Sequence, residues 1–156
     1  MATPYDSCFV QASKNYKVPK EVLVAIASIE SRYNRKAINY NKNGTYDIGV
    51  MQINSIWFPR LEKMGIQREN LTDGCQNIMV GSWILAQNIR KYGFTWKSIQ
   101  RYNGSDTQFK YAQKVYAAIK IHYPELSNSK EVVFSSDANN VPKIVINQKI
   151  HFLYVK

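Results

Sequence analysis

The sequence predicts a mainly α-helical domain of α+β type, with one small β element inside it and a β-strand or hairpin appended after it. Three observations carry this. Up to about residue 124 the chain breaks into apolar stripes at helical spacing, bounded by capping residues and glycines. One stretch, Asn39 to Tyr46, is instead dense in Asn, Gly and Thr. Near the end, Ile144, Ile146, Ile150, Phe152 and Tyr154 fall on one side of a period-two pattern.

Taken in order, Asp6 or Ser7 can cap a first helix running to about Tyr16. Pro19 suits the first position of a second helix, with Glu21 in its first turn. Leu23, Ile26 and Glu30 are spaced i, i+3 and i+7, so Glu30 shares the apolar face of that helix. The Asn39–Tyr46 stretch reads as turns, with a hairpin around Asn43-Gly44. Pro59 to Met64 is a short helix stopped by Gly65. Asp73 is an N-cap for a long helix to about Tyr92, closed by Gly93. Thr95 caps another helix ending near Tyr102. Asp106 begins a last one, with Phe109, Ala112, Tyr116 and Ile119 on one stripe, stopped before Pro124. Residues 1–124 therefore form one domain and 125–156 an extension. In that extension the strand from Ile144 pairs with Val132 to Phe134 as an added hairpin, or offers an edge to a partner's sheet.

At 156 residues the chain can bury a real core, and its 45% hydrophobic and 13% aromatic content argues against disorder. No apolar run approaches the roughly 20 residues that cross a bilayer. The net charge of +10 and pI near 9.6 fit three partners: nucleic acid, an acidic membrane surface or an anionic polymer. The Lys and Arg residues are dispersed, with no zinc-finger, RNA-recognition or basic-zipper spacing, which excludes the first. Neither Cys8 nor Cys75 lies in a Cys-x-x-Cys motif, and His122 and His151 lie far downstream, which disfavours a metal or a thiol nucleophile. Two buried thiols or one disulfide remain open at this point.

The chemistry-bearing pattern is Glu30-Ser31-Arg32-Tyr33 followed by Asp47-Ile48-Gly49-Val50-Met51-Gln52-Ile53-Asn54. It sets one carboxyl at the end of an apolar helix and a second in a polar segment. Unlike environments of this kind let one carboxyl stay protonated as an acid while the other stays ionised, as glycoside cleavage requires. On this reading Glu30 is a desolvated acid with a raised pKa. Asp47 is either a second catalytic group or a turn former accepting backbone hydrogen bonds.

Glu30-Ser31, the Gly49–Asn54 block and Tyr102-Asn103-Gly104, in this order, resemble the family 1 lytic transglycosylases, which have a lysozyme-like catalytic domain. The resemblance covers roughly residues 6 to 123 and implies a lysozyme-like helical fold. Within the family the chain is most similar to the small enzymes that accompany type III and type IV secretion systems, a Cag-type type IV system among them. Gly44 to Ser55 is also similar to the segment of c-type lysozymes that carries their second carboxylate, an Asp that many lytic transglycosylases lack.

The resemblance implies cleavage of the β-1,4 bond after N-acetylmuramic acid, with Glu30 as acid and then base, and formation of a 1,6-anhydro ring. The alternatives are a hydrolytic muramidase and an inactive glycan-binding scaffold. It also implies that Ser31 orients the sugar, that Met51 and Gln52 line the cleft with Gln52 bonding an N-acetyl group, and that Tyr102 and Asn103 form an opposite wall, with Tyr111 a further candidate. No metal or organic cofactor is implied. The implied partners are peptidoglycan strands and secretion-system proteins, without nucleic acid or stable membrane insertion. A periplasmic location follows. Met1-Ala2-Thr3-Pro4 shows neither a charged n-region nor an apolar h-region, so the expectation is a mature form without its leader. Export in turn implies a Cys8–Cys75 disulfide.

Overall fold

The computed structural model describes residues 2–104 and 108–128, together with Ser135–Ser136 and Pro142–Lys143. It is helical with a small sheet, and divides into two compact units, Met1–Trp83 and Ile84–Lys156.

The first unit opens with α1 (Asp6–Tyr16) and α2 (Lys20–Ser31). Neither expected cap is used. Tyr5, at φ 63°, precedes α1, while Asp6 lies in its first turn and pairs with Lys20 at 2.6 Å. Pro19 precedes α2 rather than starting it. The apolar run pays off in α2, where Val22 to Ala27 are all fully buried. Arg32 and Tyr33, at φ 53° and 63°, end that helix by turning left-handed directly after Ser31.

A three-stranded antiparallel sheet follows: β1 (Ile38–Tyr40), β2 (Tyr46–Ile48) and β3 (Ile53–Asn54), in that spatial order. The hairpin expected at Asn43-Gly44 joins β1 to β2. Gly44 takes φ 83°, and the Asn41 and Gly44 amides donate to the Thr45 and Asn41 carbonyls at 2.8 and 3.1 Å. α3 (Phe58–Lys63) is short, and Gly65 turns the chain away at φ 80°.

α4 (Gly74–Tyr92) runs through the boundary between the units. Asp73 caps it as expected, its Oδ1 accepting from the Gln76 amide at 2.8 Å, and Gly93 follows at φ 74°. The second unit continues with α5 (Trp96–Asn103), where Thr95 Oγ1 accepts from the Ser98 amide and Ser98 Oγ faces the Thr95 amide in return. α6 (Lys110–His122) begins later than the expected Asp106, which lies outside the described residues. Phe109 sits before its first turn at φ 55°, so the buried stripe is Tyr111, Ala112, Val115 and Ile119. Tyr116 instead packs edge-on to Trp96 at 5.8 Å. Gln100 of α5 caps α6, its Oε1 accepting from the Ala112 amide at 3.0 Å.

The polar segment after residue 124 holds a helix that composition hides. In α7 (Pro124–Asn128), Pro124 takes the opening position, and Leu126 is buried. Beyond it, β4 (Ser135–Ser136) pairs antiparallel with β5 (Pro142–Lys143). The strand read from Ile144 to Tyr154 and its partner at Val132 to Phe134 lie outside the described residues.

Cys8 of α1 and Cys75 of α4 form a disulfide, Cα to Cα 5.3 Å, closing a span of 67 residues. Such a loop restricts the unfolded chain enough to stabilise by roughly 4 kcal/mol in the chain-entropy model. The oxidised protein should have an intact mass two hydrogens below that of the reduced one, and reduction should lower its Tm. Two titratable thiols in native, air-handled protein would contradict this pairing.

Candidate active site

In the first unit the chemistry-bearing residues gather where α2 ends, where the sheet begins and along the loop Gly49 to Gln52. Glu30 is half-buried in the last turn of α2. One residue on, Ser31 Oγ donates to the Val50 carbonyl at 2.7 Å, tying the helix end to the loop.

The loop is a tight turn. The Gly49 amide donates to the Ala37 carbonyl at 2.8 Å, and the Gln52 amide to the Gly49 carbonyl at 3.1 Å. Gly49 is required at its position twice over. Its φ is 78°, and a Cβ there would collide with the Asn77 carboxamide and come within 2.9 Å of the Leu71 carbonyl oxygen. Asn77, a fully buried α4 residue, holds the loop from below. Its Oδ1 accepts from the Met51 amide at 2.7 Å, and its Nδ2 donates to the Ile48 and Leu71 carbonyls at 3.0 Å each.

Met51 and Gln52, both expected to line a cleft, are placed inward. Met51 is fully buried and Gln52 is 9% exposed. Gln52 takes φ 52°, its Nε2 donating to the Gly49 and Ala37 carbonyls at 3.0 and 3.2 Å and its Oε1 accepting from Asn39 Nδ2 at 2.7 Å. The carboxamide is thus used in bracing the turn. Three residues with ordinary side chains in the left-handed region, Arg32, Tyr33 and Gln52, flank this small volume. Each costs roughly 1 kcal/mol or more, which persists only where surrounding bonds over-determine the backbone.

Asp47 is central in β2, opposite Asn39 of β1 and Asn54 of β3. Directly opposed residues share a sheet face, so the three form a polar row. Asp47 Oδ1 accepts from Asn54 Nδ2 and Oδ2 from Asn41 Nδ2, each at 2.8 Å. Its partners are side-chain amides, not the backbone donors expected of a turn former. Each carboxylate oxygen thus meets one amide donor. The neighbouring pairs Tyr40–Tyr46 and Ile38–Ile48 lie on the opposite face, where Tyr46 packs on Phe58 at 5.6 Å and Arg68 Nε donates to its hydroxyl at 3.0 Å.

In the second unit, Tyr102 and Asn103 occupy the last turn of α5, half-buried and exposed respectively. Gly104 follows at φ 148°, its amide donating to the Gln100 carbonyl at 3.2 Å. Tyr111 is buried on α6, at 6% exposure.

The geometry meets a family at this point. A family model described as the transglycosylase SLT domain matches residues 7–123. The chain belongs to that family. It is therefore an enzyme of the peptidoglycan lytic transglycosylase class, as the three sequence blocks implied. It is 39% identical over 121 residues to invasion protein IagB of Salmonella typhi, covering 73% of this chain and 76% of that protein. It is 34% identical over 116 residues to protein IpgF of Shigella flexneri, covering 70% and 76%. Among solved structures it is similar to an inactive mutant of lytic transglycosylase Slt from Pseudomonas aeruginosa, with TM-score 0.66 at 18% identity. That match covers 88% of this chain but 26% of Slt, so the chain spans about a quarter of its length and the likeness is one of fold.

Sequence reasoning missed Asn77 as the residue that fixes the loop, and Asn41 and Asn54 as the donors to Asp47. A signal for Asn77 was present. It shares a buried helical stripe with Val80 and Gly81, where a polar side chain needs buried partners. Asn77→Ala should destabilise the fold by about 3 kcal/mol, because it strands the Met51 amide and two carbonyls away from water. Urea unfolding measures this. A loss under about 0.5 kcal/mol would show that water replaces the amide.

Proposed function

We propose that the enzyme cleaves the MurNAc-β-1,4-GlcNAc bond of peptidoglycan with Glu30 as its single acid and base. Glu30 donates a proton to the glycosidic oxygen as that bond breaks. The positive charge left at the anomeric carbon is shared with the ring oxygen. Glu30, now a carboxylate, takes the proton of the same sugar's 6-hydroxyl, whose oxygen bonds the anomeric carbon and closes a 1,6-anhydro ring. No water is consumed. The observation that carries this reading is the tie between Ser31 and the Val50 carbonyl, which holds the helix end bearing Glu30 against the loop of the family's Gly49–Asn54 block. Preorganising an acid in this way supplies orientation before the substrate arrives.

Asp47 assists on this reading. A carboxylate held at both oxygens stabilises the cationic transition state more than the neutral substrate. Gln52 and Met51 shape the loop that carries the glycan contacts, with Ser31 orienting the sugar. Tyr102 and Asn103 contact the strand, with Tyr111 of α6 a further substrate-binding candidate. Residues 1–124 form the catalytic domain and 125–156 an extension. The enzyme acts in the periplasm, where it opens the wall locally for a secretion system. The similarity to a protein named for invasion supports that setting, and among the described residues no helix is long and apolar enough to cross a membrane. The fixed Asp47 also supports a second reading, a muramidase in which water replaces the 6-hydroxyl.

Mass spectrometry of digested peptidoglycan decides between the two. Anhydro-muropeptides are expected, and reducing-end products alone would establish the muramidase. Glu30→Gln should fold normally and lose at least 10²–10⁴-fold in activity, the range for a general acid alone. Turnover within a few-fold of wild type would remove Glu30 from the mechanism. Asp47→Asn should lower kcat with little change in glycan binding. Full turnover in that variant would reduce Asp47 to a structural residue.

A further inference from the structure

The second unit carries a concentration of charge that the proposed chemistry does not use. Residues 84–156 hold eleven Lys and Arg against four Asp and Glu, whereas residues 1–83 hold ten against seven. From Gly74 to Ser105 there is no acidic residue at all. Within that stretch three cations converge on one ring. Lys91 Nζ, Lys97 Nζ and Arg101 Cζ lie 5.2, 4.9 and 5.6 Å from the centre of Tyr92. They are therefore at most about 11 Å apart, close to the Debye length of roughly 8–10 Å at physiological salt. Lys91 and Arg101 are exposed, and Lys97 and Tyr92 half-buried.

Stacking on the ring offsets part of the mutual repulsion, but no carboxylate of the described residues joins the group. The Tyr92 hydroxyl responds to its surroundings. Its pKa is lowered, first by a hydrogen bond with Lys91 and then by the charges of Lys91, Arg101 and Lys97. Like charges gathered without a counter-charge among the described residues favour an anion beside them.

We infer that Lys91, Lys97 and Arg101 form an anion site around Tyr92 that takes free carboxylates of the peptide stems of peptidoglycan. This rests on the peptidoglycan reading above and adds to it a contact with the peptide part of the polymer. Two of the three groups are lysines, compact point charges suited to separate, singly charged carboxylates rather than to one planar bidentate group. A lipid surface fits less well, because surface-seated segments insert large apolar side chains beside their cations. From Arg90 to Arg101, Trp96 and Ile99 are buried and Phe94 is half-buried.

The test is co-sedimentation of the full chain, carrying Glu30→Gln to prevent digestion, with purified sacculi. Adding Lys91→Gln, Lys97→Gln and Arg101→Gln should weaken binding roughly tenfold, the sum of three exposed ion pairs. Blocking the sacculus carboxylates with a carbodiimide and ammonia should weaken the parent equally, and the triple variant should then lose nothing more. Lys91→Arg with Lys97→Arg should bind like the parent, which shows that charge is read and that the fold tolerates change there. Parent-like binding by the triple variant, or equal weakening on amidated sacculi, overturns the site. So does a loss confined to vesicles of equal parts phosphatidylcholine and phosphatidylglycerol, which would assign the cluster to lipid phosphate. If wild-type protein neither binds nor cuts sacculi, the proposed function falls. If it cuts them while the triple variant binds like its parent, only the anion site falls.

Discussion

The first unit depends on one buried carboxamide. Asn77 reaches from α4 to the Met51 amide and to the carbonyls of Ile48 and Leu71. A loop of four residues cannot satisfy its own backbone groups away from water, and an orphaned amide or carbonyl there costs about 1–3 kcal/mol. Asn77 removes that cost with a side chain that is donor and acceptor at once. No apolar residue can do this, and Asp, with no amide donors, would leave both carbonyls bare. The same contact explains Gly49, whose missing Cβ leaves room for the Asn77 amide.

The disulfide and the loop are mechanically linked through α4. Cys75 lies two residues before Asn77, so the bond to Cys8 anchors the helix start that presents the carboxamide. Gly74 adds to this, since a Cβ there would strike the Tyr5 ring. Left-handed Arg32, Tyr33 and Gln52 are held against their own preference by neighbouring bonds: Arg32 by its amide to the Ser28 carbonyl at 3.1 Å, and Gln52 by Asn39, Ala37 and Gly49. Strain concentrated beside one carboxyl is the usual mark of a preorganised site.

Where the sequence was legible, the reason is local. Asp73, Thr95, Gly44, Gly65 and Gly93 act through their own backbone and nearest neighbours, so turns and helix ends could be read directly. The apolar face of α2 was equally visible, because its period is a property of the helix alone. What failed to show depends on tertiary partners. The bonds of Gln52 to Asn39, Ala37 and Gly49 depend on the folded sheet and loop, which its motif does not reveal. Asn41 and Asn54 are ordinary turn and strand-end residues until the sheet register aims them at Asp47. Phe109 belonged to a helical stripe by spacing, but precedes its helix because Gln100 caps α6 at Ala112.

The polar row of the sheet gives Asp47 surroundings unlike those of Glu30. Asp47 sits among amides, each oxygen meeting a donor, while Glu30 is half-buried at the end of a helix whose residues Val22 to Ala27 are fully buried. The difference comes from secondary structure. The hairpin residue Asn41 and the β3 residue Asn54 supply donors to the central strand, whereas a helix end presents its last carbonyl oxygens. The two carboxyls thus have different neighbours before any substrate is present.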